Sequence, residues 1–143
     1  MKKRFRFLEH TADAYIEAYG ASLEEAFENA AAAMTDVMTE LEKVEAKTEE
    51  SFVVEAQDEP ALLYSWLEEL LLEFELKDKL YSRFEVSCIE ETSEGFRLRA
   101  KAWGEKYDPE RHLSKVGIKA ATYHQMEILK EPKSVTLRFI LDI

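Results

Sequence analysis

The hydrophobic residues of this chain change their period at Leu80, and that change governs what it can fold into. Before it, two long stretches repeat apolar residues every three or four positions; from it onward, apolar and polar residues alternate. Neither pattern can adopt the other's geometry without burying polar side chains. The chain must therefore pack helices from its first half against strands drawn largely from its second.

The first helical stretch opens at Ser22, an N-cap with Glu25 three residues on, which reads as a capping box. Gly20 lets the chain turn out of the preceding strand. Leu23, Ala26, Phe27, Ala30, Met34, Val37, Met38 and Leu41 make its apolar face, and Ala30-Ala31-Ala32-Ala33 permits close approach to a neighbour. Met34 and Met38 read as core packing. A polar stretch from Glu42 to Glu50 ends it, and Ser51 to Ala56 reads as a strand. Asp58 or Glu59 caps the second helix, with Pro60 in its first turn. Leu62, Leu63, Trp66, Leu67, Leu70, Leu71 and Phe74 give it a heavier stripe, while Glu68, Glu69, Glu73 and Glu75 read as a solvated acidic face.

Ahead of these helices, Arg4 to Leu8 and Ala14 to Tyr19 read as two strands. After them, Leu80 to Ile89 and Phe96 to Trp103 read as a hairpin turning at Thr92-Ser93-Glu94-Gly95. Gly104 to His112 reads as a loop in which Asp108 and His112, four apart, are a weak ligand pair. Tyr123 to Leu129 and Val135 to Leu141 supply two more strands. The expected fold is α+β: a single domain over residues 1–143, with two amphipathic helices on a largely antiparallel sheet.

Composition narrows the function. Nineteen Lys and Arg stand against 30 Asp and Glu, a formal net charge of −11, which disfavours direct, extensive contact with a phosphate backbone. The single cysteine, Cys88, lies within an alternating strand and reads as a buried core thiol in a reducing compartment. With no apolar run suited to a signal peptide or membrane span, the expected location is cytoplasmic. A Gly-rich phosphate loop, a zinc cysteine pair and a Gly-x-Ser-x-Gly elbow are all missing.

Three segments concentrate chemistry. Leu8-Glu9-His10-Thr11-Ala12-Asp13 joins the first two strands and carries an imidazole and a hard oxygen donor; alone, it reads as a hairpin turn with Asp13 bonding backbone amides and His10 at its rim. Lys119-Ala120-Ala121-Thr122-Tyr123-His124 groups a cation, a hydroxyl, a phenol and an imidazole, where Lys119 reads equally as an edge residue. Ile140-Leu141-Asp142-Ile143 closes the last strand, which holds a terminal carboxylate in place.

These segments, together with Tyr19-Gly20-x-Ser22-Leu23-Glu24-Glu25-Ala26-Phe27, resemble the archease family, in the same order and across the whole chain. The resemblance implies a non-enzymatic protein cofactor of RtcB-type RNA ligases, which join tRNA halves after intron removal using GTP and a divalent metal. It implies that the chain promotes ligase guanylylation and repeated turnover. It also implies a metal site at Asp13, Asp142 and Ile143, and an activating lysine at Lys119. Where family members commonly carry Asp-Ile-Gly after Thr-Ala, this chain has Asp13-Ala14-Tyr15.

An all-oxygen anionic set of this kind suits Ca2+, Mg2+ or Mn2+ better than Zn2+, with His10 in support behind the ligands. An acidic helper would dock on a basic ligase surface and meet tRNA only through it. Two other classes remain open. One is a hydrolase using Asp13 and His10, or a metal-bound water, as base. The other is a chaperone-like or scaffolding module for nucleic-acid-modifying enzymes.

Overall fold

A computed structural model describes residues 3–8 and 13–143. Its described elements, in order, are β1 (Phe5–Leu8), β2 (Ala14–Gly20), α1 (Leu23–Met38), a 3-10 turn (Leu41–Lys43), β3 (Thr48–Ala56) and α2 (Glu59–Lys77). They continue with β4 (Lys79–Thr92), β5 (Gly95–Lys106), β6 (Ala120–Ala121), β7 (Glu127–Glu131) and β8 (Ser134–Asp142). The α+β expectation holds, but the strands divide between two antiparallel sheets rather than one. The first runs β1-β2-β8-β6, with β7 also on β8, and the second runs β3-β5-β4.

Both helices begin where their caps place them. Ser22 accepts the Glu25 N–H at 3.1 Å, and the Glu25 carboxylate takes the N–H of Ala21 at 2.6 Å, one residue ahead of the usual capping-box partner. Asp58 caps α2 by accepting the Ala61 N–H at 2.8 Å, with Pro60 in the first turn. Ala30, Ala31, Ala32 and Ala33 are fully buried, so α1 packs closely against β2 and β4, one strand from each sheet. Trp66 of α2 is also fully buried; Phe52 and Phe84 meet it edge-on, and its indole N–H donates to the Phe27 carbonyl at 3.1 Å.

The hairpin departs from simple alternation. Register shifts at Tyr81/Arg83 and Val86/Cys88 let Leu80 and Tyr81 both turn inward and leave Cys88 only partly buried, against the expectation of a core thiol. At Gly104, beside the Tyr81/Arg83 shift, the paired strands β4 and β5 run so close that a Cβ would lie 1.8 Å from the Leu80 carbonyl oxygen. The expected strand from Tyr123 is another correction. A turn at Tyr123–Met126, with Gln125 at φ 54°, separates β6 from β7. No helix among the described residues is long and apolar enough to cross a membrane.

Candidate functional site

Strand β8 is the spine on which three separated stretches of sequence meet. It pairs with β2 in a register that sets Ala14 against Leu141 and Tyr15 against Ile140. Continued by one residue, that register brings Asp13 opposite Asp142, and opposite residues of an antiparallel pair share a face of the sheet. On its other edge β8 takes β6, with Ala120 against Asp142, and the Lys119 N–H donates to the Asp142 carbonyl at 2.7 Å. Asp13, Lys119, Asp142 and Ile143 therefore gather at one end of one sheet. His10 lies outside the described residues.

Several contacts hold the Lys119 segment down. Ile118 is buried while Lys119 is exposed, so one anchors the chain and the other is left in solvent. Thr122 gives both its N–H, at 3.2 Å, and its hydroxyl, at 2.9 Å, to the Ile140 carbonyl. The Ala121 N–H donates to the Glu68 carboxylate of α2 at 2.7 Å, and the Tyr123 ring stacks on Tyr64 with centroids 4.5 Å apart. Glu68 thus does structural duty that its place on an acidic helix face did not announce.

Asp13, Asp142 and Ile143 are half-buried. Among the described residues no trio of His, Cys, Asp and Glu side chains is clustered as a ligand set. Asp13 and Asp142 place two carboxylates on opposite strands at this end, and carboxylate oxygen is the donor type that hard divalent ions take.

The other sequence candidates have structural occupations. His112 is buried; its Nδ1 accepts the Asp108 N–H at 2.8 Å and its Nε2 lies 2.9 Å from Glu105 Oε2, so both ring nitrogens are spent inside the fold. Glu73 accepts the Tyr81 hydroxyl at 2.8 Å and pairs with Lys77 at 3.0 Å, which removes it from the solvated face expected for it.

Sequence reading missed Glu17, because a glutamate in an alternating strand ordinarily faces water. It is 3 % exposed, set between Arg6 of β1 and Arg138 of β8 in the strand register. Arg6 Nε donates to it at 2.7 Å, Arg138 Nε at 2.6 Å and the Tyr19 hydroxyl at 2.5 Å. Burial alone would raise its pKa, but the bonds from Tyr19, Arg138 and Arg6 outweigh it and bring the value to about 2. Glu105 follows the same logic. Burial opposes its ionisation, while the Glu45 N–H, His112 and Arg111 overcome it and lower the pKa to about 2.

Comparison with known proteins places this geometry in a wider set. A family model described as the Archease protein family (MTH1598/TM1083) matches residues 5–143. The protein archease of Pyrococcus abyssi is 49% identical over 130 residues, covering 91% of each chain. That of Sulfurisphaera tokodaii is 43% identical over 141 residues, covering 99% of each. The solution structure of Methanobacterium thermoautotrophicum protein 1598 superposes with a TM-score of 0.81 at 40% identity, over 98% of this chain and 99% of that one. A crystal structure from Thermotoga maritima, described as an archease, possible chaperone, shares the fold at a TM-score of 0.59 and 19% identity, over 100% of this chain and 98% of that one.

Proposed function

This chain belongs to the archease family, and on that premise we propose that it is a non-catalytic activator of an RtcB-type RNA ligase in tRNA splicing. In this reading it promotes guanylylation of the ligase by GTP and lets the ligase turn over repeatedly. Asp13, Asp142 and Ile143 would hold a divalent cation (Ca2+, Mg2+ or Mn2+), supported by His10. A bound cation there supplies positive charge that relieves repulsion between the two carboxylates and fixes their orientation.

One observation carries the reading: the 2.7 Å hydrogen bond from the Lys119 N–H to the Asp142 carbonyl. It sets the backbone of the proposed activating residue directly beside that of a proposed ligand. With Ile118 buried beneath it, the exposed Lys119 ammonium is free to meet a nucleotide phosphate or an acidic group in the ligase. The chain's net charge of −11 suits docking on a basic ligase face, with tRNA reached only through the ligase.

A ligation assay with purified ligase, GTP and metal, run with and without this chain, tests the proposal. Guanylylation and multiple turnover should rise with the chain, and Lys119→Ala should abolish the rise while melting as the parent does. Asp142→Asn should weaken cation binding at least roughly tenfold, the scale seen when groups around a bound metal are removed. A Lys119→Ala protein that stimulates normally would refute the reading. A chaperone-like role, in keeping with the description of the Thermotoga maritima protein, instead requires activity indifferent to metal and to Asp142.

A further inference from the structure

The three-stranded sheet matches its charges across strands. Arg97 lies opposite Glu55 and bonds both it and Glu90, and Lys101 lies opposite Glu85 and reaches Glu49 at 3.7 Å. At one end of the sheet the matching fails. Strands β4 and β5 place Lys79 directly opposite Lys106, which brings two ammonium-bearing side chains to one face about 5 Å apart at Cβ. Neither has a carboxylate partner among the described residues. Lys79 Nζ donates to the Thr48 hydroxyl at 3.1 Å, and Lys106 makes no side-chain hydrogen bond or ion pair there.

Both lysines line a depression of about 500 Å3 that also includes Lys47, Thr48, Tyr107 and Arg111. The acids around it are already engaged. Buried Glu105 accepts from the Glu45 N–H, His112 and Arg111; Asp108 takes the Glu110 N–H and Arg111; Glu45 pairs with Lys47 at 3.0 Å. Setting Lys47, Lys79, Lys106 and Arg111 against Glu45, Glu105 and Asp108 leaves one positive charge, in a chain whose total is −11. Like charges placed face to face cost stability in the free protein, and a dianion between them turns that cost into attraction.

We propose that Lys79 and Lys106 form a phosphate-binding site, with Thr48 holding Lys79 in place. Thr48 is suited to that part because its hydroxyl accepts from Lys79 while donating to the Gly104 carbonyl at 3.2 Å. Ammonium groups on flexible stems suit a phosphate as point charges and do not require the flat edge that a guanidinium needs. The site shares no residue with the Asp13 and Asp142 end of the other sheet, so it stands or falls independently of the ligase reading.

The test is an amide-resolved NMR titration of the full chain at low ionic strength, with inorganic phosphate in one arm and AMP in the other. Shifts should centre on Thr48, Lys79 and Lys106 and fade as salt is raised. Lys79→Gln and Lys106→Gln should each weaken binding by up to about fivefold, as expected for loss of one exposed charge contact, while ion-paired Lys101→Gln leaves it intact. Without phosphate both variants should melt above the parent, and added phosphate should raise the parent more than either variant. Equal responses in the two arms assign recognition to the phosphate group itself, and a stronger response to AMP assigns it to a nucleotide. Shifts scattered over unrelated lysines, or a Lys106→Gln protein that responds as the parent does, would overturn the site.

Discussion

Replacing Glu17 by Gln keeps the shape of the side chain and removes the charge that three donors were built to meet. Arg6 and Arg138 each spend their Nε on this carboxylate, and the amide would offer one oxygen and turn an NH2 toward a guanidinium. A buried carboxyl that ionises near 2 when folded and near 4.5 when unfolded contributes about 3 kcal/mol at neutral pH. The sign follows from the depressed value. The contribution is complete above the unfolded pKa and is lost as pH falls toward the folded one. For a domain of this size that is about 10 °C in melting temperature. Urea unfolding of parent and Glu17→Gln should therefore differ by about 3 kcal/mol at pH 7, and the gap should narrow by about 2 kcal/mol at pH 3. Glu105 titrates over the same range in both proteins and cancels in the difference. A gap of the same size at both pH values would refute the reasoning, since it would mean that packing rather than charge is lost.

Two further outcomes follow from the packing. Gly104→Ala forces a methyl into the Leu80 carbonyl, where only backbone could yield, and should cost about 3 kcal/mol or more in urea unfolding; an unchanged midpoint would mean the β4–β5 pairing is slack there. Glu68→Ala removes the acceptor of the Ala121 N–H and should lower stability by only about 1 kcal/mol. It should nonetheless speed hydrogen exchange at Ala121 and reduce ligase stimulation, and full stimulation would show that Lys119 needs no support from α2.

The helices and the α+β class were legible because their signals are local. Ser22 with Glu25, Asp58 with Pro60, and the stripe through Trp66 need only a few turns of chain to be read. Alternation also found most of the strands. What it could not carry was register. The shifts at Tyr81/Arg83 and Val86/Cys88 turn residues to the opposite face, and nothing in the alternation marks them. The pairings Arg6–Glu17–Arg138 and Lys79–Lys106 exist only once particular strands lie side by side, so no window of sequence contains them. At the candidate site, the resemblance supplied Lys119 and the expectation that Asp13, Asp142 and Ile143 hold one metal ion. Their common address on β8 came from the sheet, and Glu68 and Tyr64 entered only as neighbours in space.

The pairing of β2 with β8 also sets when the proposed site can form during folding. Early and late segments of the chain must meet before Asp13 and Asp142 face one another, and contacts of such long sequence separation are slow to form because most of the chain has to be ordered first. Helices α1 and α2 can nucleate early, yet a partly folded intermediate that contains them holds no oxygen cluster and no anchored Lys119. On the proposed function, ligase stimulation would therefore report completion of the fold, since the residues assigned to it come together only when β2 has paired with β8.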